Sequence, residues 1–155
     1  MKSRSAGRTA GPPAAGPVRR AEGMQAAEAL ALLDTVDVGR VVFTRDALPA
    51  VRPVNHVVDG GEIVIRVQDD STLAALLGVH PGTGVVVAYE ADSIDPDGHL
   101  GWSVTATGYA TAVTEPDEIA RYARLLRPWV AGTASGAIRI RPDLVTGYRL
   151  GPGGP

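Results

Sequence analysis

The stretch from Pro49 to Leu77, PAVRPVNHVVDGGEIVIRVQDDSTLAALL, decides the fold of this 155-residue chain. Its β-branched residues predict a strand over 50–58 and another over 62–67, joined by a tight Asp-Gly-Gly turn. A loop and a short helix over 71–77 follow, with Ser71 as the predicted N-cap. The segment therefore predicts a β-hairpin whose second strand leads directly to a helix N-terminus.

Arg66 stands at the end of the second strand, shortly before Ser71 and Thr72. A guanidinium group matches phosphate oxygens through a bidentate fork, and the first N–H groups of a helix favour an anion. We therefore expect these three residues to hold the phosphate of a cofactor. The alternative is an ordinary surface arginine at a strand end.

The rest of the chain adds helices and further strands, with most neighbours joined by short turns. These elements are helices over 24–36 and 115–126 and strands over 39–44, 84–89, 100–113, 137–141 and 145–150. The last two strands are separated by Pro142-Asp143, and Gly108 is expected to mark a bulge or a bend. Six or seven strands, mostly antiparallel, with three helices predict a mainly β fold, a small barrel whose closure removes exposed edges.

Charge and composition divide the chain into a tail and one domain. The first 22 residues are rich in Gly, Pro, Ala and Arg and carry a net charge of +4, which leaves −6 on the remainder. We expect residues 1–22 to form a disordered tail, residues 23–150 to form the domain, and residues 151–155 to be a flexible C-terminus. An acidic domain argues against a nucleic-acid partner.

The sequence also narrows the chemistry. Without cysteine there is no disulfide, thiolate metal site or cysteine nucleophile. His80 and His99 have no acidic or histidine neighbour at ligand spacing, so no metal site is expected. No apolar run reaches the roughly 20 residues that cross a bilayer, and the basic start lacks the apolar stretch of a secretory signal. We therefore expect a cytoplasmic protein without a membrane partner.

The order and spacing of several segments resemble the FMN-binding split-barrel family, the pyridoxamine 5′-phosphate oxidase-like proteins. Within it, the chain is most similar to the branch of nitroimidazole-resistance proteins and small actinobacterial flavoproteins. The segments that carry the resemblance are GRVVF at 39–43, RPVNHVVDGGEIVIRV at 52–67, STLAALL at 71–77, VVVAYEAD at 85–92, GWSVTATGYA at 101–110 and PDLVTGYRL at 142–150.

The resemblance implies a homodimer with FMN in a cleft between the subunits and a small-molecule substrate. The implied cofactor-binding residues are Arg52, Pro53, Val54, Asn55, His56, Arg66, Val67, Ser71, Thr72, Trp102 and Ser103.

Three of these residues have alternative roles. Asn55 would contact the polar edge of the flavin ring, or satisfy backbone at a strand edge. His56 would lie along the ring, where it would be a candidate proton donor, or face solvent by strand alternation. Trp102 and Ser103 would approach the ring or the ribityl chain, from the same subunit or from its partner, or Trp102 would pack in the core or at the dimer interface.

Two departures from the family pattern shape the functional expectation. Thr72 stands where many relatives carry Lys, which removes one cation from the phosphate site. The C-terminal segment lacks the substrate-binding Arg and His of a true pyridoxamine phosphate oxidase, so vitamin B6 synthesis is not assigned. The expected function is an FMN-dependent oxidoreductase that passes hydride or electrons to a small planar acceptor, with no catalytic residue assigned. The alternative is a non-catalytic flavin-, deazaflavin- or haem-binding or sensing protein.

Overall fold

The computed structural model describes Gly11 and residues 19–67, 72–79, 82–127 and 136–153. Within these residues, seven strands and three helices follow one another along the chain. In order they are β1 (Arg19–Met24), α1 (Ala26–Leu33), β2 (Val38–Arg45), β3 (Leu48–Asp59), β4 (Glu62–Val67), α2 (Thr72–Val79), β5 (Val85–Ile94), β6 (Gly101–Ala112), α3 (Pro116–Leu125) and β7 (Gly136–Pro152).

The strands form one antiparallel sheet that closes on itself. The order β7-β4-β3-β2-β5-β6 returns to β7, because β6 also pairs with β7, and β1 lies outside this ring on β7. The first residues of β7 pair with β4, whereas its last residues pair with β1. Closure leaves the six barrel strands with few exposed edges, as a mainly β sequence of this length favours.

The predicted tail boundary at residue 22 is wrong. Arg19–Met24 forms β1, in which Arg19 pairs with Pro152 and Met24 pairs with Gly147. The side chain of Arg19 also donates to the carbonyl oxygen of Gly98, at 2.6 Å. The unpaired edge of β7 supplies the hydrogen-bond partners that residues 19–22 lack locally. The rest of the predicted tail, apart from Gly11, lies outside the described residues.

Two predicted strands at the C-terminus are one strand. Pro142-Asp143 does not divide β7, because the ladder with β6 shifts register between Thr107 and Gly108, and Gly108 pairs with Pro142. The extra residue on β7 is accommodated as a bulge, which bends the strand without ending it. The predicted irregularity at Gly108 is confirmed.

Two apolar clusters lie on opposite sides of the barrel wall. The larger one fills the barrel, and α1 closes one end of it with the buried side chains of Ala29 and Leu33. The smaller one lies outside, where Tyr122 and Leu126 at α3 pack on Val64 of β4. Ile63 and Ile65 face inward while Val64 faces α3, so β4 is covered on both faces. A strand covered on both faces explains the continuous apolar run in its sequence.

The helices of the described residues are short. The longest, α3, has 10 residues. None of them is long and apolar enough to cross a membrane.

Gly39 provides a test of how closely the barrel is packed. A Cβ atom at Gly39 would lie 2.6 Å from Cζ of Tyr89 and 2.7 Å from the carbonyl oxygen of Glu90. We expect Gly39→Ala to lower the free energy of unfolding by about 1–3 kcal/mol, because the ring must leave its packed position. Gly23→Ala is the matched control, since no heavy atom lies within 4 Å of its added Cβ. Equal urea midpoints for the two variants would contradict this packing.

Candidate functional site

Two of the predicted cofactor residues, Asn55 and Arg66, lie side by side on the outer face of the barrel. The ladder between β3 and β4 pairs His56 with Ile65, so Asn55 and Arg66 face each other one step further along. Both follow the alternation of residues that pack beneath α3, Val57 on β3 and Val64 on β4. Side chains from two parts of the sequence therefore meet at one place.

Both side chains are bound to the C-terminal end of α3. Nη1 of Arg66 donates to the carbonyl oxygen of Leu126 at 2.8 Å and to that of Ala123 at 3.4 Å. Nδ2 of Asn55 donates to the carbonyl oxygen of Arg127, also at 2.8 Å. The last carbonyl groups of a helix have no partner within it, so these two side chains supply what the helix lacks.

The middle of α3 is held by charged and hydroxyl groups. Oδ2 of Asp59 accepts a hydrogen bond from the hydroxyl of Tyr122 at 2.6 Å and another from Nη1 of Arg121 at 2.8 Å. These two bonds lower the pKa of the Asp59 carboxyl, with Tyr122 the larger influence. Arg139 of β7 reaches Glu118, Glu62 and the Tyr122 hydroxyl. The helix is therefore fixed to β3, β4 and β7.

The first half of β3 has one open side. Residues 48–55 pair with β2, but β4 pairs only with residues 56–59. Among the described strands, no other strand pairs with Arg52, Pro53 or Val54. Arg52 and Pro53 are exposed, and the Arg52 side chain donates to the carbonyl oxygen of Val51. Backbone groups along this edge are available to a planar polar ligand, except at Pro53, which has no N–H.

His56 is buried, and the expectation that it faces solvent is wrong. It is 3% exposed and lies inside the barrel. Its Nε2–H donates to the carbonyl oxygen of Leu33 at 2.8 Å, and its Nδ1 accepts from the hydroxyl of Tyr89. Burial lowers the pKa of His56, so the imidazole is neutral. Burial also raises the pKa of Tyr89, which keeps the hydroxyl protonated as a donor.

Trp102 and Ser103 do not join Asn55 and Arg66 within one chain. The indole of Trp102 belongs to the core inside the barrel, which is the packing alternative. Ser103 pairs with Asp92 and Tyr148. Arg66 pairs instead with Ala137, at the opposite end of β7.

The predicted phosphate loop is only partly described. Thr72 is the first residue of α2, and Ser71 lies outside the described residues. Val67 follows Arg66 on β4 and packs against the core inside the barrel, and it also lines a pocket of about 500 Å³. Other walls of this cavity come from Leu77, Val113 and Ile138. Arg66 and Val67 therefore serve opposite sides of the barrel wall.

Sequence reasoning missed a charged group on the outer face between β3 and β6. Nη1 of Arg40 lies 3.3 Å from Oε2 of Glu90 and 3.9 Å from Oδ2 of Asp92. The ladders place Arg40 opposite Pro53 and place Asp92 opposite Ser103. The charged group lies on β2 and β5. It therefore stands between β3 and β6, the two strands that carry the predicted walls of the cofactor site. The one signal in the sequence is the alternation of Glu90 and Asp92 on an otherwise apolar strand.

Glu90 has an unusual proton affinity. Partial burial raises the pKa of its carboxyl to about 7, and the hydrogen bond and charge of Asp92 act in the same direction. Arg40 opposes the rise.

The described residues contain no group of three His, Asp or Glu side chains placed to share a metal ion.

Comparison with known proteins gives a consistent family and fold. The family model of pyridoxamine 5′-phosphate oxidase matches residues 25–149. The uncharacterized protein Rv0080 of Mycobacterium tuberculosis is 50% identical over 123 residues, which cover 79% of this chain and 81% of that protein.

Solved structures agree with this result. A pyridoxamine 5′-phosphate oxidase candidate from Corynebacterium glutamicum is 31% identical with a TM-score of 0.72, covering 90% of this chain and all of that one. An FAD-binding protein from Mycobacterium smegmatis is 27% identical with a TM-score of 0.61, covering 84% of this chain and 98% of that one. These likenesses confirm the predicted split-barrel fold.

The raised pKa of Glu90 predicts a pH-dependent effect of Glu90→Gln. In the folded protein the pKa is about 7, against an ordinary value of 4.5, so ionised Glu90 costs stability that is absent well below pH 4.5, grows between pH 4.5 and about pH 7, and is constant above that. We expect Glu90→Gln to raise the free energy of unfolding by about 1 kcal/mol at pH 8, after allowance for solvent screening. At pH 4.5 the variant should match the wild type in urea unfolding. A gain of equal size at both pH values would contradict the assignment.

Proposed function

The chain belongs to the pyridoxamine 5′-phosphate oxidase family, and on this premise we propose that it is a flavin-dependent oxidoreductase that binds FMN beside Arg66 and Asn55. The observation that carries the proposal is the meeting of these two side chains on one face of the barrel. A guanidinium and an amide are suited to a phosphate and to a polar ring edge, respectively. Bound flavin would supply hydride or single-electron transfer to a small planar acceptor.

The roles of the protein follow from the positions of its groups. Arg66 would bind the phosphate, with Thr72 at the start of α2 near the same strand end. Asn55 and the open edge of β3 would orient the polar side of the ring. The similar FAD-binding protein of Mycobacterium smegmatis supports a flavin as the ligand. Thr72 has no charge, so Arg66 would carry most of the phosphate affinity.

A homodimer is part of the proposal. Arg66 on β4 and Ser103 on β6 pair with residues near opposite ends of β7, and a second copy of the chain would bring the predicted walls of the site together. Large apolar side chains on the outer face support such a contact: Val86 is 57% exposed and Leu144 is 60% exposed. Contiguous exposed apolar surface often marks an interface, and Val86 pairs with Tyr109, which is itself 41% exposed. A monomer in sedimentation equilibrium of FMN-loaded protein would contradict this part.

A second candidate is a flavin-binding protein without turnover. The observation that favours it concerns the polar side chains predicted beside the ring. Asn55 is bonded to the end of α3, and both ring nitrogens of His56 are bonded inside the barrel. Neither is presented as a proton donor to a substrate. In this case the cleft would hold a flavin, a deazaflavin or haem as a sensor or store.

The phosphate role of Arg66 is tested by Arg66→Ala. We expect the wild type to be purified with the visible absorption bands of flavin and to bind FMN more tightly than riboflavin, which lacks the phosphate. The variant should lose this preference and retain no FMN, because a charge-assisted bidentate contact is removed. Arg45→Ala is the control, since Arg45 is an exposed arginine at the end of β2.

The result is read from absorption spectra and from FMN titrations of the protein stripped of cofactor. Full occupancy in Arg66→Ala would overturn the phosphate assignment. A haem spectrum in the wild type would replace the flavin by the haem alternative.

Turnover separates the two candidate functions. For the oxidoreductase, we expect reduced nicotinamide nucleotide to bleach the flavin band in a stopped-flow experiment and a quinone or nitroaromatic acceptor to restore it. A flavin that stays oxidised with every reductant tried, or that never passes electrons on, would leave the non-catalytic candidate. Free FMN at the same concentration is the control for reaction off the protein.

A further inference from the structure

The end of α3 holds both polar side chains of the proposed site. Arg66 donates to Leu126 and Ala123, and Asn55 donates to Arg127. We propose that α3 is a positioning element for the cofactor: its docking on the barrel sets the orientation of Arg66 and Asn55 and thereby the affinity for the phosphate of the flavin. This inference rests on the proposed function and adds to it residues that do not touch the cofactor.

Hydrogen bonds to α3 hold the guanidinium of Arg66 in one orientation. Both bonds from Arg66 to α3 come from Nη1, one of its three nitrogens. Two carbonyl oxygens on one nitrogen restrict rotation of the long side chain. An arginine that is ordered before binding loses less rotamer entropy when an anion arrives. The helix end also favours a cation, because its carbonyl groups carry partial negative charge.

The C-terminal end of α3 is itself held on the barrel by packing and by contacts with Asp59. Leu126 packs in the outer cluster with Tyr122, one helical turn earlier. The Tyr122 hydroxyl is bound to Asp59, which lies at the end of β3, the strand that carries Asn55. Arg121 binds the same Asp59 oxygen. The carbonyl groups that hold Arg66 and Asn55 are therefore located by contacts made at Asp59.

Loosening of α3 should weaken the binding of the flavin phosphate. If the hold at Asp59 weakens, the helix end moves relative to β3 and β4, and the Arg66 and Asn55 side chains lose their fixed partners. The flavin phosphate should be affected most, since its affinity depends on Arg66. Tyr122 and Arg121 are therefore positioning residues for a cofactor that neither of them touches.

The test uses Tyr122→Phe and Arg121→Ala in the full chain. Tyr122→Phe removes the hydroxyl and leaves the buried ring in place. We expect each variant to bind FMN about three- to tenfold more weakly, which corresponds to the loss of one hydrogen bond. Riboflavin affinity should fall by a smaller factor, since riboflavin meets Asn55 but has no phosphate for Arg66. A general loss of structure would lower both affinities together, so the ratio of FMN to riboflavin affinity identifies positioning.

Arg124→Ala is the matched control for Arg121→Ala. It removes the same charge from the same helix, closer to the helix end, and Arg124 makes no ion pair with a described residue. A loss that came from charge alone would be at least as large in Arg124→Ala. Thermal melting of each variant shows that the barrel is intact.

The outcomes distinguish the positioning role of α3 from the phosphate role of Arg66. A lower FMN affinity in Tyr122→Phe and Arg121→Ala, with a smaller loss for riboflavin and no loss in Arg124→Ala, supports the positioning role. An unchanged FMN affinity, or equal losses for FMN and riboflavin, overturns it while leaving the phosphate role of Arg66 to stand on Arg66→Ala. A wild type that binds no FMN overturns the proposed function, and the positioning role with it.

Discussion

The buried bonds of His56 are the constraint on which the candidate site depends. Its imidazole joins the carbonyl oxygen of Leu33, at the end of α1, to the hydroxyl of Tyr89 on β5. Turning His56 outward would leave buried polar groups without partners, which is costly in a dry interior. Because strand side chains alternate, an inward His56 fixes Asn55 outward, opposite Arg66. The interior hydrogen bonds thus set the face that carries the site.

The sequence was sufficient for the local structure of this region. The bounds of β4 and the hairpin turn follow from β-branched residues and from glycines at positive φ. The sequence did not predict which residues form hydrogen bonds with the polar side chains. Tyr89 is 33 positions from His56, and Leu126 is 60 positions from Arg66. Alternation alone placed His56 toward solvent, and its two interior hydrogen-bond partners place it on the opposite face.

The same limit explains the two errors at the ends of the chain. Residues 19–22 have a composition typical of disorder, and Pro142-Asp143 has the composition of a turn. Both are strands because of β7: its free edge pairs with β1, and its bulge opposite Gly108 accommodates the proline. Strand pairing across the whole chain overrides local preference here. Gly108 was predictable because an isolated glycine in a long strand indicates an irregularity without reference to its partner.

The placement of Arg66 also bears on how an anion could bind there. The carbonyl groups at the end of α3 repel a phosphate, whereas the guanidinium between them and the barrel surface attracts it. A bond from a guanidinium to a phosphate is charge-assisted and about twice as strong as its bond to a neutral carbonyl. A phosphate is therefore favoured only where Arg66 shields it from the helix end, which restricts the approach to the edge of the guanidinium that faces away from α3. Asn55 lies on the neighbouring strand, so the geometry that orients Arg66 also fixes the direction in which an attached ring would extend along β3.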